Sequence, residues 1–107
     1  MFTEGQVVTV FRNRLRDDAD AQTAYSADAT RMAELARAMP GYVEHKAFTA
    51  DDGERVTLVT FADRPSHDGW RDHPEHRAAQ RRGVEAYYET YSIQVGTTDY
   101  ASARARG

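Results

Sequence analysis

Cysteine is absent from the sequence, which excludes disulfides, thiolate metal sites, iron–sulfur clusters and a cysteine nucleophile together. Lysine is nearly absent: Lys46 stands beside thirteen arginines, a usage that resembles a GC-rich bacterial genome and carries no mechanism. Neither sign of charge is in large excess, with 14 Lys+Arg against 17 Asp+Glu scattered along the chain for a net charge of −3, so no nucleic-acid footprint is expected. There is no apolar run of roughly 18 residues that could span a membrane. The N-terminal stretch MFTEGQVVTVFRN has no basic region followed by an apolar segment, and a cytoplasmic protein without a membrane partner is expected.

What is present suits one domain. The 107 residues are 40% hydrophobic and 10% aromatic, which predicts a single domain over residues 1–100 and a flexible C-terminal tail over 101–107. A core of this size is modest and gains from a partner subunit.

Gln6–Leu15 is rich in β-branched residues, with Val8, Val10 and Arg12 on one side and Val7, Thr9, Phe11 and Asn13 on the other, and predicts a first strand. Ala21, Tyr25, Ala29, Met32, Leu35 or Ala36 and Met39 then recur at spacings of three and four, the signature of an amphipathic helix that stops at Met39-Pro40-Gly41. Tyr42–Ala50 and Arg55–Ala62 predict two strands joined by an Asp51-Asp52-Gly53 hairpin turn. Strict alternation in the first of these puts Val43, His45, Ala47 and Thr49 on one face and Tyr42, Glu44, Lys46 and Phe48 on the other.

Asp63 is placed to cap a short helix through Ser66, His67 and Trp70, with Pro65 in its first turn. His73-Pro74 starts a second helix, predicted to run to about Tyr91 with His76, Ala79, Gln80, Gly83, Val84, Tyr87 and Tyr91 facing the core. Ser92–Tyr100 predicts the last strand. The order β-α-β-β-α-β defines an α+β, ferredoxin-like split βαβ fold with a four-stranded antiparallel sheet and helices on one face. Strands two and three carry apolar residues on both faces, which predicts a homodimer that covers the second face.

Pro40-Gly41-Tyr42-Val43, the hairpin Phe48–Val56 and above all Trp70-Arg71-Asp72-His73-Pro74-Glu75-His76 resemble the antibiotic biosynthesis monooxygenase domain family over about residues 5–99. The resemblance implies dimeric α+β barrels with a pocket in each subunit between sheet and helices. It implies either oxygenation of aromatic, quinol or polyketide-type substrates with dioxygen and without metal or organic cofactor, or, in a related branch, heme binding and degradation. That heme branch is known for an Asn on strand one, a Trp on the short helix and a His on the long helix. Asn13 and Trp70 match the first two, and Gln80 stands at the histidine position, where a carboxamide is a poor substitute for imidazole.

The catalytic candidates are therefore Asn13, Trp70, His76 and Gln80, with Phe11, His45, Tyr87 and Tyr91 as candidates to bind the substrate and no metal ligand set. Each has a plainer structural reading. Asn13 is either at a frayed edge or lines a cavity, Trp70 is a core anchor or a pocket wall, and His76 is an exposed helix-start residue or a general base. Alternation does not decide whether His45 faces pocket or dimer barrel. His73 is explained by Pro74 as a helix start, the spacing of Tyr87, Tyr88 and Tyr91 fits a packing stripe on the long helix, and Arg77, Arg81 and Arg82 fit a solvated face. A dimeric ligand-binding domain without activity is the third functional reading.

Overall fold

The computed structural model describes residues 2–106; Met1 and Gly107 lie outside the described residues. β1 (Val7–Leu15) leads to α1 (Ala19–Ala38), followed by β2 (Tyr42–Thr49), β3 (Arg55–Phe61), α2 (Arg64–Arg71), α3 (Pro74–Arg82), a single π turn (Gly83–Tyr87) and β4 (Tyr88–Thr97). The strands form one antiparallel sheet in the order β2-β3-β1-β4, the expected split βαβ arrangement. Ala101–Arg106 carry no regular structure. No helix among the described residues is long and apolar enough to cross a membrane.

Local chemistry fixes the helix starts. The Asp18 carboxylate accepts from the amides of Asp20 and Ala21, and that of Asp63 accepts from Ser66 at 2.8 Å, each satisfying donors that the first helical turn leaves unpaired. His73 caps α3 through its ring, with Nδ1 accepting from the Glu75 amide at 3.1 Å. Gly41, at a φ of +78°, turns the chain from α1 into β2, and Gly53, at +90°, closes the β2–β3 hairpin.

The register places Val7, Thr9, Phe11 and Asn13 of β1 on one face with Phe61, Val59, Thr57 and Arg55 of β3. All three helices lie on this face, where Ala36 of α1, Val59 and Phe61 of β3 and Trp70 of α2 form the central apolar cluster. The opposite face presents Val8, Val10, Val56, Leu58 and the half-exposed Phe48.

Three sequence expectations are corrected. In β2 the pairing skips a residue between Tyr42 and Glu44, so Tyr42 shares a face with His45 and not with Glu44; its ring meets Phe61 edge-on at 6.3 Å. The bulge brings one more aromatic ring to the core. The second long helix does not reach Tyr91: it ends at Arg82, widens into the π turn and gives way to β4 at Tyr88, so the last strand covers Tyr88–Thr97 in place of Ser92–Tyr100. Tyr88 and Tyr91 are therefore strand residues, and cross-strand pairing with Leu15 and Asn13 outweighs the helical spacing of the three tyrosines. Finally, Gln80, Val84 and Tyr91 are exposed where core positions were expected, because the helix turns only His76, Ala79, Gly83 and Tyr87 inward.

Gly83 sits at the helix break for a steric reason. A Cβ there would lie 2.3 Å from Cε2 and 2.7 Å from Cζ of Tyr88, whose ring is enclosed by Phe11, Tyr25, Tyr87 and Tyr91. Gly83→Ala is expected to destabilise the fold by about 1–3 kcal/mol through overpacking. Gly69→Ala in α2, where a Cβ meets nothing within 4 Å, is expected to stabilise it by roughly 0.5–1 kcal/mol. Thermal melts of both variants measure this difference in sign.

Candidate active site

Between the sheet and the three helices lies a cavity of about 590 Å³, within the usual range for small-molecule sites. Phe11, Met32, Val59, Trp70, Tyr88 and Ile93 supply most of its apolar wall. Thr9, His45, Arg55, His67 and His76 bring polar groups to it.

Trp70 and His76 form its centre. The indole packs on Phe61 at a centroid distance of 5.4 Å and on the His76 imidazole at 4.1 Å, the latter with ring planes 38° apart. The chain break at Asp72-His73 makes this stack possible, since it turns α3 so that its first turn meets the last turn of α2. His76 Nδ1 lies 3.1 Å from the Arg71 carbonyl, and a carbonyl only accepts, so Nδ1 carries the proton. Nε2 is left with its lone pair. Burial pushes the His76 pKa down, so the ring is a neutral base at neutral pH. His45 lies on the helix face of the sheet, at the cavity wall; burial again, with Arg37 nearby, lowers its pKa.

Among the described residues four buried side-chain atoms have no hydrogen-bond partner: Thr9 Oγ1, Trp70 Nε1, and both Oδ1 and Nδ2 of Asn13. Thr9 and Trp70 line the cavity. Asn13 is fully enclosed and does not line it; it stands two residues along β1 from Phe11, on the same face and opposite Arg55 and Tyr91. An unsatisfied buried polar group costs about 1–3 kcal/mol, so all four disfavour the fold, and those of Thr9 and Trp70, on residues that line the cavity, suit a ligand that completes them.

The other expected site residues separate. Phe11 and Tyr87 are on the wall. Tyr91 lines the cavity from β4 but is half-exposed, and Gln80 contributes from an exposed position on α3. Gln80 offers only a carboxamide, from an exposed position, and that group does not fit ordinary axial ligation of heme.

Sequence reasoning missed Thr9, His67, Arg55 and Asp28 as site residues. Asp28 bridges three elements: its carboxylate accepts from Arg82 Nε at 2.8 Å and from the Tyr87 hydroxyl at 2.7 Å. Arg82 holds the Asp28 carboxyl below its ordinary range, while burial and that carboxylate raise the Tyr87 phenol. Thr9 was within reach of the strand rule that grouped it with Phe11 and Asn13. Asp28 follows Tyr25 by one helical turn, but its partners lie on α3 and the π turn, which no local pattern reveals.

Both perturbed histidines bind a proton more weakly in the folded chain than in the unfolded one, whose value is about 6.5. Their contribution to stability is full above that value and is lost as pH falls through it; the carboxylates do not add to this loss until nearer pH ~4. The melting temperature is expected to drop between neutral pH and about pH 5, and His76→Gln is expected to remove part of that drop. A pH series of thermal melts checks it.

A model of the antibiotic biosynthesis monooxygenase family matches residues 8–82. Protein YqjZ of Bacillus subtilis (strain 168) is 31% identical over 81 residues, covering 76% of this chain and 71% of the relative. Among solved structures, Rv0793 from Mycobacterium tuberculosis superposes with a TM-score of 0.75 at 24% identity, covering 91% of this chain and 99% of that one. SnoaB, a cofactor-independent oxygenase from Streptomyces nogalater, superposes with a TM-score of 0.73 at 15% identity, covering 91% and 96%. Both likenesses concern the fold.

Proposed function

The chain belongs to the antibiotic biosynthesis monooxygenase family, and on that premise we propose that it oxygenates an electron-rich aromatic, a phenol, quinol or polyketide-type compound, with dioxygen and no metal or organic cofactor. The observation that carries this reading is the neutral His76 base stacked on Trp70, in a cavity whose wall holds unpaired polar atoms. The cofactor-independent chemistry of SnoaB, a protein of the same fold, supports it.

In this scheme His76 Nε2 takes a proton from the substrate, and the resulting anion passes one electron to dioxygen. The two radicals combine to form a carbon–oxygen bond, and the peroxide takes up a proton from the His76 imidazolium. The reacting carbon then gives up its remaining hydrogen as a proton while the O–O bond breaks, so that this carbon becomes a carbonyl and the second oxygen leaves as water. Trp70 Nε1–H and the Thr9 hydroxyl stabilise the developing oxyanion, with Gln80 on α3 as a further donor, while Asn13, enclosed behind the wall, acts on the site only through its neighbours on β1. Phe11, Tyr87, Tyr91 and His45 shape the space around the ring, and the apolar wall limits water.

Oxygen-electrode assays with anthrones and hydroquinones test the reading. Thr9→Val, of nearly equal shape, is expected to lower turnover by about 10²–10³ while leaving the melting temperature unchanged or higher, since it removes an unsatisfied hydroxyl. Asn13→Ala and Trp70→Ala are expected to lower turnover more than stability. Parallel losses of turnover and stability would assign these residues to the core alone, and absence of oxygen uptake with the whole panel would favour a ligand-binding domain.

The uncovered sheet face is proposed to pair with a second copy. Val8, Val10, Val56 and Leu58 form a contiguous apolar patch there, edged by the Arg12–Glu54 and Arg14–Asp52 ion pairs at 2.7 and 2.6 Å. Sedimentation at micromolar concentration is expected to give a dimer, and Leu58→Glu a monomer. A wild-type monomer contradicts the pairing.

A further inference from the structure

We propose that the substrate carries a carboxylate, or an equally compact anionic group, at a position away from the reacting carbon, and that Arg55 is the residue that holds it. The inference rests on the aromatic-substrate reading above and specifies the substrate class.

Arg55 opens β3 on the cavity face, with Asn13 and Thr49 as its cross-strand neighbours. It is half-buried, lines the cavity and lays its guanidinium over the Tyr25 ring, 5.0 Å from the centroid. Guanidinium is charged at every accessible pH, and its donors lie in its own plane. The contact with Tyr25 is made to an aromatic face and engages none of the guanidinium N–H groups in a hydrogen bond to another side chain.

The arginines around it are matched with carboxylates. Arg12 has Glu54, Arg14 has Asp52, Arg82 has Asp28, and Arg71 and Arg77 share Asp72. Among the described residues Arg55 has no carboxylate within 4.0 Å and no side-chain hydrogen bond; its one specific contact is Tyr25. Asp28 is committed to Arg82 and Tyr87 and Asp52 to Arg14, while Glu85, which lines the same cavity, and Glu89, which lines a second groove with Arg55, form no ion pair with it. A cation held partly out of water, pre-oriented by an aromatic face and lacking a protein anion, is complementary to an anion that arrives with the ligand. The unpaired Thr9 and Trp70 atoms in the same cavity are neutral donors that suit the reacting oxygen, so the two ends of the substrate are recognised by different chemistry. Arg81 also lines the cavity, but from an exposed position on α3 and with no stacking partner.

Isothermal titration calorimetry of the full chain at neutral pH with 6-hydroxy-2-naphthoate and with 2-naphthol tests the assignment. The two probes share the ring system and the hydroxyl and differ in the carboxylate. The naphthoate is expected to bind at least about tenfold more tightly, the range of a charge-assisted hydrogen bond. Arg55→Met is expected to bring it to parity with naphthol while leaving naphthol affinity unchanged, and Arg55→Lys to restore part of the preference. Arg55→Gln takes the place of the Met variant if that one does not fold. Equal binding of the two probes by the wild type, or a preference that survives Arg55→Met or disappears with Arg81→Met, overturns this inference alone. Failure of both probes to bind overturns it together with the aromatic-substrate reading. A carboxylate preference that depends on Arg55, without oxygen uptake, upholds the anion site and removes the oxygenase.

Discussion

Trp70 is held between two rings that belong to different parts of the fold, Phe61 on the sheet and His76 on α3, and the geometry of the cavity follows from that sandwich. Its indole joins the apolar cluster of Ala36, Val59 and Phe61, so α1, β3 and α2 are fixed together at this point. The same ring lines the cavity, keeps a buried N–H without a partner and fixes the imidazole that the proposed chemistry uses. Packing and the proposed chemistry thus meet at Trp70. The His73-Pro74 break follows directly: without a change of direction after α2, His76 would not reach the indole.

A second constraint is the way the chain leaves α3. The π turn at Gly83–Tyr87 sends Tyr87 inward to Asp28 and releases Tyr88 into β4, where its ring meets Phe11, Tyr25 and Tyr91. Burial raises the Tyr88 phenol and keeps it neutral, so it acts as wall and not as base. Asp28, bound to Arg82 before the turn and Tyr87 within it, ties this irregular segment to α1. Helix widenings of this kind occur frequently at functional sites, and here the widening sets the aromatic end of the cavity.

The polar atoms of the cavity region stand in tension with stability. Thr9, Asn13 and Trp70 hold four unpaired buried atoms, while elsewhere the helix caps satisfy amides that would otherwise be orphaned. A small domain tolerates such a cluster because the aromatic packing around Trp70 and Tyr88 is dense, and the opposite sheet face offers further apolar area to a second subunit. The matched arginines of the surface contribute little each. Their relevance lies in leaving Arg55 without a protein anion.

The sequence by itself determined the element order, the two aspartate caps, the Asp51-Asp52-Gly53 turn and the helix start at Pro74, because each depends on a few neighbouring residues whose backbone preferences are strong. It also brought forward Trp70, His76 and Asn13, through a motif and through a polar residue on an apolar strand face. Only the tertiary structure decided where the second long helix ends, since Tyr87, Tyr88 and Tyr91 fit helical spacing and cross-strand partners on β1 override it. It decided the face of Tyr42, because a one-residue bulge inverts alternation without leaving a local trace. It decided that Gln80 is exposed while His76 is buried, that His45 looks into the cavity, and that Arg55 lies over Tyr25. Those are contacts between residues distant in the chain, and they are fixed by packing, to which local spacing is blind.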